Sequence, residues 1–219
     1  KRQAIYDALT RWGCLADPGV RATLAAPAPF GYRNKAEFAF APGAAGVYEG
    51  GSHRVVDIDA CPLQADCANL VFRFVKARRG KLPLRFLVTR VNAAGEMMVT
   101  LSLGAPVDAA ALANSIMKEF PFVKSVYSCR LALRPAHALD GPCTLLRGAE
   151  TLTETLCGLS FSVSPRSFFQ VNRAQTEALY AAAIACANLT PEDRVADVYC
   201  GAGTISLAAA RHCQHVTGI

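Results

Sequence analysis

The run Asp197-Val198-Tyr199-Cys200-Gly201-Ala202-Gly203-Thr204 holds the densest chemistry in this 219-residue chain. Val195 to Tyr199 reads as a short buried-type strand, and Ile205, Leu207 and Ala210 mark a helix after it. Glycines at 201 and 203 let the backbone turn tightly behind the strand and come close to a ligand. The helix N-terminus beyond them offers free N–H groups that favour a carboxylate or phosphate. Position 206 is Ser, so a full G-x-G-x-x-G is absent, which weakens a dinucleotide reading. Asp197 ahead of a lone G-x-G suits S-adenosylmethionine better: its ammonium needs an acceptor, and it has no pyrophosphate to cradle. A simple packing turn is the plainer alternative. His215 to Ile219 begins another strand, so strand, glycine turn, helix and strand make a βαβ unit that opens a Rossmann-like parallel sheet.

Charge lies elsewhere in the chain. Residues 1–90 carry 14 Lys+Arg against 7 Asp+Glu, and residues 91–219 carry 9 against 10, so the formal +6 belongs to the first part. That asymmetry suits a polyanion held by the first part, with a solvated basic helix through Arg73, Lys76, Arg78, Arg79 and Lys81 as the alternative. The nine cysteines are odd in number and show no C-x-x-C spacing. Cys186 and Cys213 sit in Ala-rich helical stretches, where Cys is a small apolar filler, and a reduced, cytoplasmic protein is expected. Cys61 and Cys67, six apart, cannot complete a metal site alone. No apolar run approaches the ~18–20 residues of a membrane span, and 52% hydrophobic against 18% charged residues excludes global disorder. The chain opens at Lys1 without Met and stops within a strand pattern, and so reads as a piece of a longer polypeptide.

The elements that must position these residues follow from periodicity. Residues 2–12 have helical spacing, with Ile5, Leu9 and Trp12 on one side, before a Pro-rich passage from Ala25 to Phe30. Arg33 to Phe40 alternates as a half-buried strand, with Lys35 and Glu37 on one face and Ala36 and Phe38 on the other. Short strands are expected at Gly46–Tyr48 and Arg54–Ile58. Asp66 is placed to cap a helix to about Arg79 with Leu70, Val71, Phe74 and Val75 as its apolar face. Leu84–Val91 and Met97–Leu103 flank a hairpin signal, Asp108 caps a helix to about Phe120, and Phe122–Cys129 is a strand. Short strands at Thr144–Arg147, Glu150–Leu156 and Leu159–Val163 complete an α+β region with antiparallel pairing. The character changes near Ser164, after which Asn172 caps a helix through about Asn188, with Gln175 in the capping-box position.

Four stretches carry a resemblance. They are Gly31-Tyr32-Arg33-Asn34-Lys35; Gly46-Val47-Tyr48 with Ser52-His53-Arg54-Val55-Val56-Asp57-Ile58 and Cys61-Pro62-Leu63-Gln64; Ser164-Pro165-Arg166-Ser167-Phe168-Phe169-Gln170-Val171-Asn172 with Gln175 and Leu179-Tyr180; and Asp197 through Leu207. In this order, over nearly the whole chain, they resemble the RNA uracil-5-methyltransferases that make 5-methyluridine in tRNA and 23S rRNA. The resemblance implies an α/β protein with three parts. Residues 1–28 would be a helical segment folded back on the methyltransferase domain, with Leu9 and Trp12 as packing. Residues 29–163 would be a central α+β RNA-binding domain with a mixed antiparallel sheet, and residues 164–219 the start of a Rossmann-like methyltransferase domain.

Roles follow by position. Gln170, Tyr199 and Thr204 match residues that contact S-adenosylmethionine, with Gly201 and Gly203 forming its loop; a loop-stabilising amide at Gln170 and a core aromatic at Tyr199 are the structural alternatives. Arg33, Lys35 and His53 fall in the RNA-facing domain, against a solvated strand face as the alternative. Cys61 matches the last of four cysteines that hold an iron–sulfur cluster in many members. The other three would lie upstream of Lys1, so a [4Fe–4S] cluster is expected only in a full-length protein. The reaction needs a thiolate added at uracil C6, attack of the resulting enolate on the methyl group, and removal of H5 by a base. The resemblance puts that Cys and base beyond Ile219, leaving Cys200 a structural role and the chain itself inert. The motif around Tyr32–Lys35 leans toward 23S rRNA over tRNA. A non-catalytic RNA-binding module, or a methyltransferase acting on a substrate other than RNA, are the rival readings.

Overall fold

The computed structural model describes residues 1–219. In chain order the elements are α1 (Arg2–Arg11), β1 (Lys35–Ala41), β2 (Ala44–Tyr48), β3 (Val55–Asp57), α2 (Asp66–Arg78), β4 (Leu84–Val91), β5 (Met97–Leu103), α3 (Ala110–Glu119) and β6 (Val123–Arg130). Then come β7 (Cys143–Gly148), β8 (Leu152–Leu156), β9 (Leu159–Val163), α4 (Arg173–Ala187), β10 (Arg194–Asp197), α5 (Thr204–Ala209) and β11 (His215–Gly218).

Seven strands form one sheet in the order β3-β2-β1-β4-β5-β6-β7. All neighbours pair antiparallel except β5 and β6, which are parallel and joined through α3. This one parallel pair makes the sheet mixed but mainly antiparallel, as expected, because a helical crossover returns the chain in the same direction. Alternation decides the two faces. Ala36, Phe38, Phe40, Leu87, Val99 and Leu101 turn toward α2 and α3 and form the main core of 21 buried residues. Phe38 and Phe72 stack there with ring centroids 4.1 Å apart. The second face is covered in part by the 131–142 loop, where Leu131, Ala138 and Leu139 meet Val88 and Cys129. Leu152 of β8 closes another part over Met98 and Tyr127.

Several local expectations change on folding. Ala65, not Asp66, holds the N-cap position of α2, and no side chain caps it. Asp66 is the first helical residue, where its charge still complements the dipole. Leu70 is exposed and Phe72 takes its place in the core, since the sheet meets α2 one residue around the helix from the predicted stripe. Ala109, not Asp108, holds the N-cap position of α3; the Asp108 carboxylate, one residue earlier, accepts the Ala110 N–H at 2.8 Å. α1 buries no residue within this chain, and Trp12 is 86% exposed. Asn172 caps α4 as expected, its side chain accepting the Gln175 N–H at 3.1 Å. The Gln175 side chain closes no capping box; it donates to the Leu24 carbonyl at 3.2 Å.

The last part is a βαβ unit. β10 and β11 pair parallel with α5 between them. Phe169, Tyr180 and Ala208 pack with Leu156 and Val163 of the β8–β9 hairpin into a small separate core. That core joins the loop after β9 to both helices of the last part.

Candidate cofactor loop and candidate RNA-facing segment

β10 ends at Asp197, two residues short of the predicted strand end. Tyr199 already has φ +71, a left-handed conformation costing a non-glycine residue roughly 1–2 kcal/mol. It is held by the chain end of β11, where the Ile219 carbonyl accepts N–H bonds from Tyr199 at 2.9 Å and Cys200 at 3.0 Å. Gly201 and Gly203 follow at φ +55 and +73, and a Cβ at either would meet nothing within 4 Å. Open space over two left-handed glycines is the cradle that close approach of a ligand requires. α5 starts at Thr204 with no side chain capping it.

Asp197 is held by the residue that spoils the dinucleotide pattern. Ser206 donates its hydroxyl to Asp197 Oδ2 at 2.5 Å, which fixes one carboxylate oxygen and leaves Oδ1 without a protein partner. Thr204 shares a 2.6 Å hydroxyl–hydroxyl bond with Tyr180, anchoring the loop to α4. Tyr199 is 94% exposed, and strand pairing ends before it, so its ring is not packed in a core formed by these 219 residues. Cys200 Sγ lies 2.9 Å from where a Cβ on Gly218 would stand, so the thiol is packed on β11. An acceptor at the strand end, two open glycines and an uncapped helix start fit S-adenosylmethionine. Asp197, Gly201, Gly203 and Thr204 would hold it.

Gln170 lies exposed on the loop between β9 and α4, beside buried Phe169, which places it next to the Tyr180–Ala208 core beneath the glycine loop. Its backbone is bound to the first motif. Asn34 donates its side-chain N–H to the Gln170 carbonyl at 3.0 Å and its backbone N–H to the Val171 carbonyl at 2.9 Å. The Arg33 N–H reaches the Leu63 carbonyl at 3.0 Å, and the Gly31 N–H reaches the Pro62 carbonyl at 2.9 Å. Segments 31–35, 61–64 and 170–171 are thus stitched together, and Lys35 leads directly into β1.

The remaining predicted residues divide. Arg33 is half-buried with its Nε unpartnered, beside a cavity of about 260 Å³ that Asn34, Glu154 and Arg173 also line. Lys35 pairs with Glu37 at 2.6 Å. His53 stands apart on the β2–β3 hairpin, edge-on to Tyr48 with ring centroids 5.2 Å apart. Cys61 is bracketed by the Asn69 side chain, which accepts its N–H at 2.9 Å and donates to its carbonyl at 3.1 Å. No three His, Cys, Asp or Glu side chains of this chain converge as they would to hold a metal ion.

Sequence reading missed Arg90. This guanidinium is 5% exposed and donates to the Ser167 carbonyl at 2.7 Å, holding the loop that leads to Gln170. Burial pushes its pKa below the usual arginine range, partly opposed by Glu154 and Glu37. A single Arg on a strand has no local signature. Phe168, inside a quoted motif yet given no role, is 72% exposed two residues before Gln170.

No family model matches the chain. An uncharacterised RNA methyltransferase of Halalkalibacterium halodurans is 34% identical over 238 residues, covering all of this chain and 52% of the relative. Another, from Thermosynechococcus vestitus, is 33% identical over 237 residues, covering all of this chain and 53% of the relative. The chain therefore spans about half the length of the curated relatives it matches. Among solved structures, the tRNA (uracil-54, C5)-methyltransferase of Pyrococcus abyssi in complex with S-adenosyl-L-homocysteine aligns with a TM-score of 0.66 at 23% identity, over 88% of this chain and 50% of that one. Motifs, relatives along the whole chain and likeness of fold agree: the chain belongs to the RNA methyltransferase family, with the fold of a uracil-5 methyltransferase.

Proposed function

We propose that this chain is the RNA platform and cofactor loop of an S-adenosylmethionine-dependent enzyme that methylates uracil C5 in structured RNA, 23S rRNA in preference to tRNA, in the cytoplasm. One observation carries the reading: Asn34 binds the RNA-facing segment directly to Gln170, beside the core that seats the glycine loop. A base flipped out of its stack on the first surface would arrive next to the cofactor. Phe168, exposed two residues before Gln170, offers that base an aromatic face.

The cofactor supplies an electrophilic methyl group on a sulfonium. Asp197 would accept from its ammonium, the two glycines would permit its close approach, and Thr204 would hold the start of α5 beside it. Uracil C5 is a poor nucleophile until a thiolate adds to C6, and several thiols here are packed or held protonated. Cys200 is packed on Gly218, and Cys129 is buried with its pKa pushed up to about 12, first by desolvation. Burial likewise raises the thiols of Cys67 and Cys157. We place the nucleophile and the base that removes H5 outside these 219 residues.

The test uses RNA carrying 5-fluorouridine, in which fluorine replaces the proton the base must remove, so the C6 thioether cannot be released. A polypeptide of the relatives' full length carrying this sequence should form a methylated covalent complex with a 23S rRNA fragment, and more slowly with tRNA. The 219-residue chain should form none. Methyl transfer to a protein or small molecule, with no RNA adduct, would overturn the reading.

A further inference from the structure

Lys35 and Glu37 point away from the main core, on the sheet's second face, where a cavity of about 240 Å³ is lined by Lys35, Glu37, His137, Leu139 and Arg166. Three stretches distant in sequence meet there. The Arg166 guanidinium is exposed and makes no hydrogen bond or ion pair. Its backbone is nonetheless fixed: Arg90 holds the Ser167 carbonyl at 2.7 Å, and Ser167 Oγ accepts the Ser164 N–H at 3.0 Å. A fixed turn carrying an unpaired guanidinium leaves a two-pronged donor available to a planar or tetrahedral oxyanion. His137 Nδ1 accepts the Leu139 N–H at 3.2 Å, which leaves Nε2 as the ring nitrogen free to meet a ligand. Leu139 is the one apolar lining residue, so a base or an apolar side chain finds little to bury.

We propose that this cavity is a phosphodiester subsite, in which Arg166 and His137, with Lys35 as third donor, grip a backbone phosphate of the RNA strand close to the target nucleotide. The proposal rests on the RNA reading above. Four residues separate Arg166 from Gln170, at most about 14 Å of extended chain, so the phosphate held belongs to a near neighbour of the base presented at Gln170. Glu37 opposes the anion and is engaged by Lys35 at 2.6 Å.

The measurement is filter binding of a 23S rRNA fragment and a tRNA transcript across a salt series. Arg166→Ala should make the log affinity–log salt slope shallower by about 0.7–0.9, the loss of one phosphate contact. Arg166→Lys should restore the slope but not the full affinity, since the fork is lost. Glu37→Gln should raise affinity by up to about fivefold at low salt. Lys118→Ala, on exposed α3 behind the other sheet face, should change nothing. An unchanged slope in Arg166→Ala, or an equal change in Lys118→Ala, overturns the subsite while leaving RNA binding standing. Wild-type protein with no salt-dependent affinity for either RNA overturns both readings. Thermal unfolding of each variant separates a lost contact from a lost fold.

Discussion

Asn34 and Gln170 lie 136 residues apart in sequence and 3.0 Å apart in space, amide nitrogen to carbonyl oxygen. The backbone bond from Asn34 to the Val171 carbonyl beside it makes the contact two-pronged. Because it joins the segment entering β1 to the loop entering α4, it sets where the large sheet stands relative to the glycine loop.

Asn34→Ala should therefore lower stability by about 1 kcal/mol, the net worth of one hydrogen bond. For a chain of this size that is about 2–4 °C in Tm. Asn34→Asp, which sets a carboxylate against the Gln170 carbonyl, should cost more. Differential scanning calorimetry of the two variants checks the order, and equal midpoints for both and wild type would remove Asn34 from the coupling.

The Tyr180–Thr204 bond should behave as a coupled pair. Tyr180→Phe and Thr204→Val each remove one hydroxyl and leave the other partly buried, so each alone should cost about 1–2 kcal/mol. The double variant should cost less than the sum by at least about 0.5 kcal/mol. Urea unfolding of all four proteins gives the cycle, and strict additivity would mean the two hydroxyls do not depend on each other.

Gly203→Ala tests the loop by conformation alone. A Cβ there meets nothing within 4 Å, so the penalty comes from φ +73 and should be about 1–2 kcal/mol. Isothermal titration with S-adenosylhomocysteine should show affinity reduced at least about tenfold relative to unsubstituted protein, as the loop relaxes to avoid the strain. Unaltered affinity would place the cofactor away from this turn.

Cys129 makes an alkaline prediction. Desolvation and the neighbouring Cys143 raise its pKa from 9.0 to about 12 in the folded protein. Between those values the folded state keeps a proton that the unfolded chain releases, so its stabilising contribution is full below about pH 9 and lost as pH rises toward 12. Urea midpoints should fall over that window, and Cys129→Ala should flatten the fall. A thiol reagent at pH 8 should label exposed Cys14 and Cys186 while leaving Cys129 intact in the native protein.

Much of this was legible in the residues. The β4–β5 hairpin, the Asn172 cap and the strand–glycine–helix–strand order all rest on local rules of alternation, capping and turn chemistry. Leu70 and Phe72 show where such rules stop. Both fit an amphipathic α2, and only the angle at which the sheet meets the helix decides that Phe72 stacks on Phe38 while Leu70 faces water. Ser206 is the complementary case: as a pattern it only broke a motif, whereas in space it holds Asp197.

The sequence by itself determined the basic excess of residues 1–90, the strand–glycine–helix–strand order near the end, the glycine loop and the family resemblance. Those depend on residue type at short spacing, where backbone sterics and periodicity act directly. Tertiary structure alone decided that the motif at 31–35 is bound to the one at 170–171, that Arg90 holds the loop carrying Arg166, and that Tyr199 stands in solvent. Hydrogen bonds between residues more than 70 positions apart, as from Arg90 to Ser167, leave no periodic trace, because their partners meet only after the sheet has set its order and register.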